Sequence, residues 1–177
     1  MAGRACGAPA GRAGGVAGPG AGSSASITQA EVNEAQAAWG AGIVAIGAAY
    51  TAAGDYTAVA QNHLDTLYGY KDGFGVLFKP TKAKQVPFRP TEEEALSYFV
   101  TGIVVEDTGF AIAPYTAVAF DNHGCIFDSD SATCMGEYYF TGTDSSVTKV
   151  EYTFGYKKDA EGNLKIVVHH SSLPYSP

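Results

Sequence analysis

Val32, Ala35, Trp39, Ile43, Ile46 and Tyr50 recur at steps of three and four, laying one apolar stripe along a helix of about five turns. Its start is written in Thr28-Gln29-Ala30-Glu31, a capping box that Ile27 and Val32 flank as a hydrophobic staple, and Gly54 is its natural stop. Trp39 on that stripe reads as core. Asp55 can cap a second helix to about Leu67, with Val59, His63, Leu64 and Leu67 along one side, which makes His63 a packed or half-exposed helix residue. Val76 to Thr81 reads as a short strand that Pro80 ends, leaving Thr81 in a loop. Thr91-Glu92-Glu93-Glu94 is a second capping box, and its acids suit the positive end of a short helix to about Phe99 rather than a metal cluster.

Beyond residue 100 the pattern turns extended, with strands expected over 113–127, 132–141, 147–157 and 164–173, separated by Asp, Ser and Gly turns. Helices first and an antiparallel meander afterwards give an α+β class, the long first helix lying across a strongly curved sheet. That arrangement makes a cone with an apolar interior open at one end. The last strand is expected at the centre of the sheet, lining that interior. This architecture resembles the NTF2-like, or cystatin-like, fold.

At 177 residues the length suits one domain, expected over 27–177, and 46% apolar with 12% aromatic residues supplies a substantial core. A net charge of −7 and a pI near 4.9 argue against nucleic acid or an anionic membrane surface as partner. No apolar run approaches the ~20 residues of a membrane span. Residues 1–26 are almost wholly Ala, Gly, Ser, Arg and Pro, with Arg4 and Arg12 as the only charged side chains. They are expected to be disordered, as part of an organelle transit segment or as a linker. Cys6, Cys125 and Cys134 form no C-x-x-C pair, and an odd count fits a reducing compartment. Cys125 and Cys134 are symmetric about Asp128-Ser129-Asp130-Ser131, facing each other across a hairpin either as a redox-sensitive pair or as two small buried thiols.

Candidate chemistry concentrates in the last strand, where Leu164-Lys165-Ile166-Val167-Val168 runs into His169-His170-Ser171-Ser172. Period-2 geometry puts Leu164, Ile166, Val168, His170 and Ser172 on one face and Lys165, Val167, His169 and Ser171 on the other. The first set is expected to face inward, which brings His170 and Ser172 to an apolar cavity. A bulge in this strand would exchange them for His169 and Ser171.

Specific words of the sequence carry a closer resemblance: Ala38-Trp39-Gly40-Ala41-Gly42, Asp65-Thr66-Leu67-Tyr68-Gly69-Tyr70, Leu77-Phe78-Lys79-Pro80-Thr81, Ala95-Leu96-Ser97-Tyr98-Phe99, Gly109-Phe110-Ala111-Ile112, Val150-Glu151-Tyr152-Thr153-Phe154 and the terminal His169-His170-Ser171-Ser172-Leu173-Pro174. Over about residues 28–177 these resemble the iota-class carbonic anhydrases of photosynthetic microbes. The resemblance implies an NTF2-like cone, commonly a homodimer, that hydrates CO2 to bicarbonate without a metal and takes part in concentrating CO2. Carried over by position, the site residues are Thr81, Tyr98 and a His and Ser of the terminal motif, assigned by strand phase as His170 and Ser172. A transit role for residues 1–26 then implies the chloroplast stroma, and otherwise a soluble intracellular protein.

Zinc or manganese is the cofactor alternative that adjacent histidines invite. On a regular strand, however, the two point to opposite faces, and His63, His123, Asp65, Glu106 and Glu151 show no ligand spacing. Two other functions fit the same fold: a non-catalytic association module binding a small acid, and an isomerase or dehydratase using Asp65, Glu106 or Glu151 as base.

Overall fold

The computed structural model describes residues 26–177; the segment expected to be transit peptide or linker, with Cys6, lies outside the described residues apart from Ser26. The local signals are realised where they were read. Helix α1, Gln29–Thr51, begins at a complete Thr28/Glu31 capping box, and Ile27 and Val32 are both buried beside it. Helix α2, Tyr56–Leu67, is capped by the Asp55 side chain, and α3, Glu92–Val100, by the Thr91/Glu94 box.

Five strands form one sheet: β1 (Leu77–Lys79), β2 (Tyr115–Phe127), β3 (Ser131–Gly142), β4 (Val147–Lys158) and β5 (Leu164–Ser172). Their spatial order is β1-β5-β4-β3-β2, antiparallel except where β1 pairs parallel with β5. The last strand is therefore next to one edge and not central. Residues 115–172 supply the meander, and the three-residue β1 is added outside β5 because Leu77, Phe78 and Lys79 pair with Val168, His169 and His170. That pairing carries the chain onward past Pro80, setting Thr81 alongside the end of β5.

One sheet face is covered by the helices and closes an aromatic core. The Trp39 ring meets those of Phe120, Tyr138, Phe140, Phe154 and His169 edge-on at centroid distances of 5.6–6.2 Å. Such edge-to-face contacts add about 0.5–1.5 kcal/mol per pair beyond the area buried. The opposite face is open and carries exposed Leu77, Ile126, Met135 and Val147. Cys125 and Cys134 lie directly opposite on β2 and β3 and are joined as a disulfide, so the hairpin spacing marks a bonded pair rather than two free thiols.

Strand β5 does not keep one phase. Gly155 pairs with Val168 and Tyr156 with Ile166, which leaves Val167 as an extra residue without a partner on β4. Gly155 permits the close approach there, because a Cβ at this position would lie 3.0 Å from the Val168 Cβ. Ile166 faces the core as the alternation predicts. Past the bulge the phase is inverted, and the inward positions become His169 and Ser171.

Candidate active site

The inverted phase corrects the expected pair. His169 and Ser171 are each 2% exposed on the helix-covered face. His170 and Ser172 instead point to the open face, where they line a groove of about 740 Å3 with His123, Glu137 and Glu151. There Ser172 Oγ is 3.5 Å from a Glu151 carboxylate oxygen. The physical reason is the single extra residue, since a one-residue insertion turns every later side chain to the other side of the sheet.

His169 is held on four sides. Its ring stacks on Phe78 at 4.5 Å and 15°, meets Phe154 edge-on at 4.3 Å, and lies against Trp39 and Tyr68. The stacking follows from the β1–β5 register, which makes Phe78 its direct neighbour. Trp39 Nε1–H donates to the Tyr68 hydroxyl at 2.9 Å, and that hydroxyl lies 2.8 Å from His169 Nδ1. On the other side of the ring, Nε2 is 3.5 Å from the Tyr138 hydroxyl. Burial, with smaller contributions from His170 and His63, holds His169 well below the ordinary histidine range, so the ring is neutral at physiological pH.

Thr81 and Ser171 meet at the end of β5, where the Thr81 hydroxyl donates to Ser171 Oγ at 2.9 Å. The Tyr138 phenol is raised by burial, and hydrogen bonding from Ser171 and Thr81 opposes that rise, which ties it to the same cluster. Tyr98 comes from α3 and reaches the same turn: the Lys82 backbone N–H donates to its hydroxyl at 3.4 Å. The Tyr98 hydroxyl's own proton has no acceptor among the described residues, and burial raises its pKa. Its ring stacks on Phe110 at 5.4 Å and stands edge-on to Phe78 at 5.8 Å. A cavity of about 240 Å3 lies against Tyr98, lined also by Lys82, Asp107 and Phe110.

The loop carrying Thr81 is tied down by a fully buried ion pair, Arg89 Nη2 to Asp107 Oδ1 at 2.6 Å, with the guanidinium 5.9 Å from the Tyr98 ring centroid. Breaking such a pair by removing one partner leaves an uncompensated buried charge, so its role here is to hold the loop that precedes α3 to the segment that follows it.

The structure therefore brings Thr81, Tyr98, His169 and Ser171 to one side of the sheet and leaves His170 and Ser172 on the other. Trp39, Tyr68 and Tyr138, which extend the polar chain, went unrecognised as polar partners in the sequence because each reads as an ordinary aromatic core residue. The remaining acids are accounted for locally. Glu106 accepts backbone N–H groups of Lys84, Gln85 and Val86, Asp65 pairs with Lys71, and no three metal-binding side chains converge among the described residues.

Residues 30–173 match the family described as metal-independent carbonic anhydrase. A metal-independent carbonic anhydrase of Nostoc sp. is 42% identical over 154 residues, covering 84% of this chain and 75% of that protein. The crystal structure of a cyanobacterial iota-carbonic anhydrase complexed with bicarbonate superposes with a TM-score of 0.82 at 40% identity, covering 86% of this chain and 95% of that one. An NTF2-like family protein of Streptomyces avermitilis, 15% identical with a TM-score of 0.53, covers 83% of this chain and 96% of its own, and shares the fold alone.

Proposed function

This chain belongs to the metal-independent carbonic anhydrases, and from that premise we propose that it catalyses the reversible hydration of CO2 to bicarbonate and a proton with Thr81, Tyr98, Ser171 and His169 as its working residues. The family match over 30–173 carries the activity, and the Thr81–Ser171 hydroxyl pair is the observation that most favours this placement of the site. The reaction uses no metal cofactor, which sets zinc and manganese aside.

The chemistry required is a positioned water, an apolar berth for CO2, donors for the oxygens that gain charge, and a route for one proton. The Thr81 and Ser171 hydroxyls orient the water. Phe78 and Phe110 offer apolar faces to the uncharged substrate, and the uncommitted Tyr98 O–H donates to an oxygen of the forming bicarbonate. The water's proton passes through the Tyr138 hydroxyl toward His169 Nε2, the ring being kept neutral by its cage. A zinc ion would lower its bound water to a pKa of about 7, and hydroxyl groups supply no equivalent, so turnover slower than that of zinc enzymes is expected.

A homodimer is part of the same reading. The exposed Leu77, Ile126, Met135 and Val147 on the open sheet face favour a second copy as its cover. The acid-free composition of residues 1–26 supports a chloroplast transit segment, which import of a reporter carrying it tests, and with it a part in concentrating CO2.

Stopped-flow measurement of CO2 hydration, with sedimentation of the same sample, separates the enzyme from a non-catalytic association module. Catalysis well above the uncatalysed rate is expected. A tight dimer with no hydration activity would select the module instead.

A further inference from the structure

His63 is a second imidazole in the wall of the cage that holds His169, and the chemistry above leaves it without a task. It is 5% exposed on α2, its ring 5.9 Å from Trp39, 5.7 Å from Phe99 and 6.3 Å from Tyr68 between centroids. Its Nε2 is buried with no hydrogen-bond partner. The outer side of the residue meets a surface groove of about 180 Å3 between α1 and α2, lined by Ala38, Gly42, Ala45, Val59, Asn62 and Thr66.

The seat for this ring is made by α1. A Cβ on Gly42 would lie 2.0 Å from His63 Nδ1, so no other residue leaves room for the imidazole as it stands. Glycine within a helix is destabilising relative to alanine. Both the glycine and the orphaned Nε2 therefore weaken the fold locally, and packing alone would be served better by an apolar side chain and an alanine.

Each hydration releases one proton, and His169 at 2% exposure cannot hand it to solvent directly. When His169 carries its proton on Nδ1, the Tyr68 oxygen accepts from both His169 and Trp39, and the Tyr68 hydroxyl proton needs an acceptor of its own. His63 Nε2, on the neighbouring ring, is buried with no partner, and with the ring proton on Nδ1 it is an acceptor. We propose that His63 is the proton-relay residue that carries the reaction's proton from the His169–Tyr68 pair to the groove between α1 and α2, an inference that rests on the carbonic anhydrase reading.

The step balances. His169 gains the proton at Nε2 and yields the one on Nδ1 to the Tyr68 oxygen. Tyr68 yields its hydroxyl proton to His63 Nε2, and His63 releases its Nδ1 proton to a buffer base in the groove. Water admitted as the side chains move then returns each neutral ring to its starting tautomer, taking the Nε2 proton and supplying one to Nδ1, with no net charge transferred. Tyr68 and His63 are neighbours and are not hydrogen-bonded, so each transfer waits on a side-chain movement. Burial lowers His63 to about 4, which keeps it neutral between transfers.

The test is His63→Leu, assayed two ways. Net CO2 hydration in weakly buffered solution should fall on the order of 10²-fold, within the range a positioned proton-transfer group supplies, and imidazole added to the buffer should restore it. The CO2–bicarbonate exchange at equilibrium, read by carbon NMR line broadening, needs no net proton export and should stay unchanged. Gly42→Ala, which displaces the ring while favouring the helix, should give the same pattern and serves if the leucine variant does not fold. Hydration unchanged at every buffer concentration would overturn the relay. Hydration and exchange falling together without rescue would overturn it as well, showing a structural role. An inactive wild type would instead remove the carbonic anhydrase reading itself.

Discussion

His169→Asn lowers CO2 hydration by roughly 10²- to 10⁴-fold, the contribution of a positioned proton-transfer group, whereas His170→Ala changes it by less than about twofold. The two histidines are adjacent in sequence and differ only in which face of the sheet they occupy. Asparagine keeps a polar atom near the Tyr68 hydroxyl, where Nδ1 sits at 2.8 Å, and offers nothing at the Nε2 position that faces Tyr138. The fold should survive, so the loss reads as chemistry. His170 lines the open-face groove, on the side of the sheet away from the Thr81–Ser171 pair. Ser171→Ala and Ser172→Ala should split in the same way, since Ser171 accepts the Thr81 hydrogen bond and Ser172 lies against Glu151 on the open face. Stopped-flow rates on the four variants check this. Activity lost at His170 and Ser172 but kept at His169 and Ser171 would place the site on the other face.

Tyr68→Phe has the second large effect, and it acts on both stability and rate. Removing one oxygen orphans two buried groups at once, Trp39 Nε1–H and His169 Nδ1, inside a cage of rings. Each unsatisfied buried group costs about 1–3 kcal/mol, so a loss of about 2–6 kcal/mol is expected, and for a chain of this size a fall in melting temperature of roughly 4–24 °C. Activity should drop as well, because His169 loses the bond that fixes its tautomer and ring orientation. Denaturant titration checks the stability, where the midpoint should move with the slope unchanged. A change under about 0.5 kcal/mol would mean that the Trp39–Tyr68–His169 chain is not formed in solution.

The helices were legible because their signals are local. Thr28 with Glu31, Thr91 with Glu94, and Asp55 each sit within three residues of the amides they cap, and all three starts are realised. The hairpin strands were legible for the same reason. Thr81 and Tyr98 were singled out through the words around them, and the structure sets them at the same turn. The inward pair was not legible, because Ile166-Val167-Val168 is a run of three β-branched residues with no polar break, and the bulge it hides is set by Gly155 on another strand. The same non-local origin explains the position of β5. Nothing in the Leu77–Lys79 word says that it will pair in parallel outside the last strand. Tyr68 and Tyr138 belong to a third kind of miss, since a buried tyrosine in an aromatic-rich chain announces packing, and its polar role depends on which hydroxyl, ring nitrogen or indole converges on it.

The most direct test of the central claim, CO2 hydration by side chains alone, is stopped-flow assay of the purified protein after exhaustive chelation, with metal content quantified on the same sample. Full activity with far less than one metal ion per chain is the expected result, because the chain belongs to the metal-independent family and hydroxyl and imidazole groups carry the proposed chemistry. Activity lost on chelation and restored by zinc or manganese in proportion to the metal bound would contradict it.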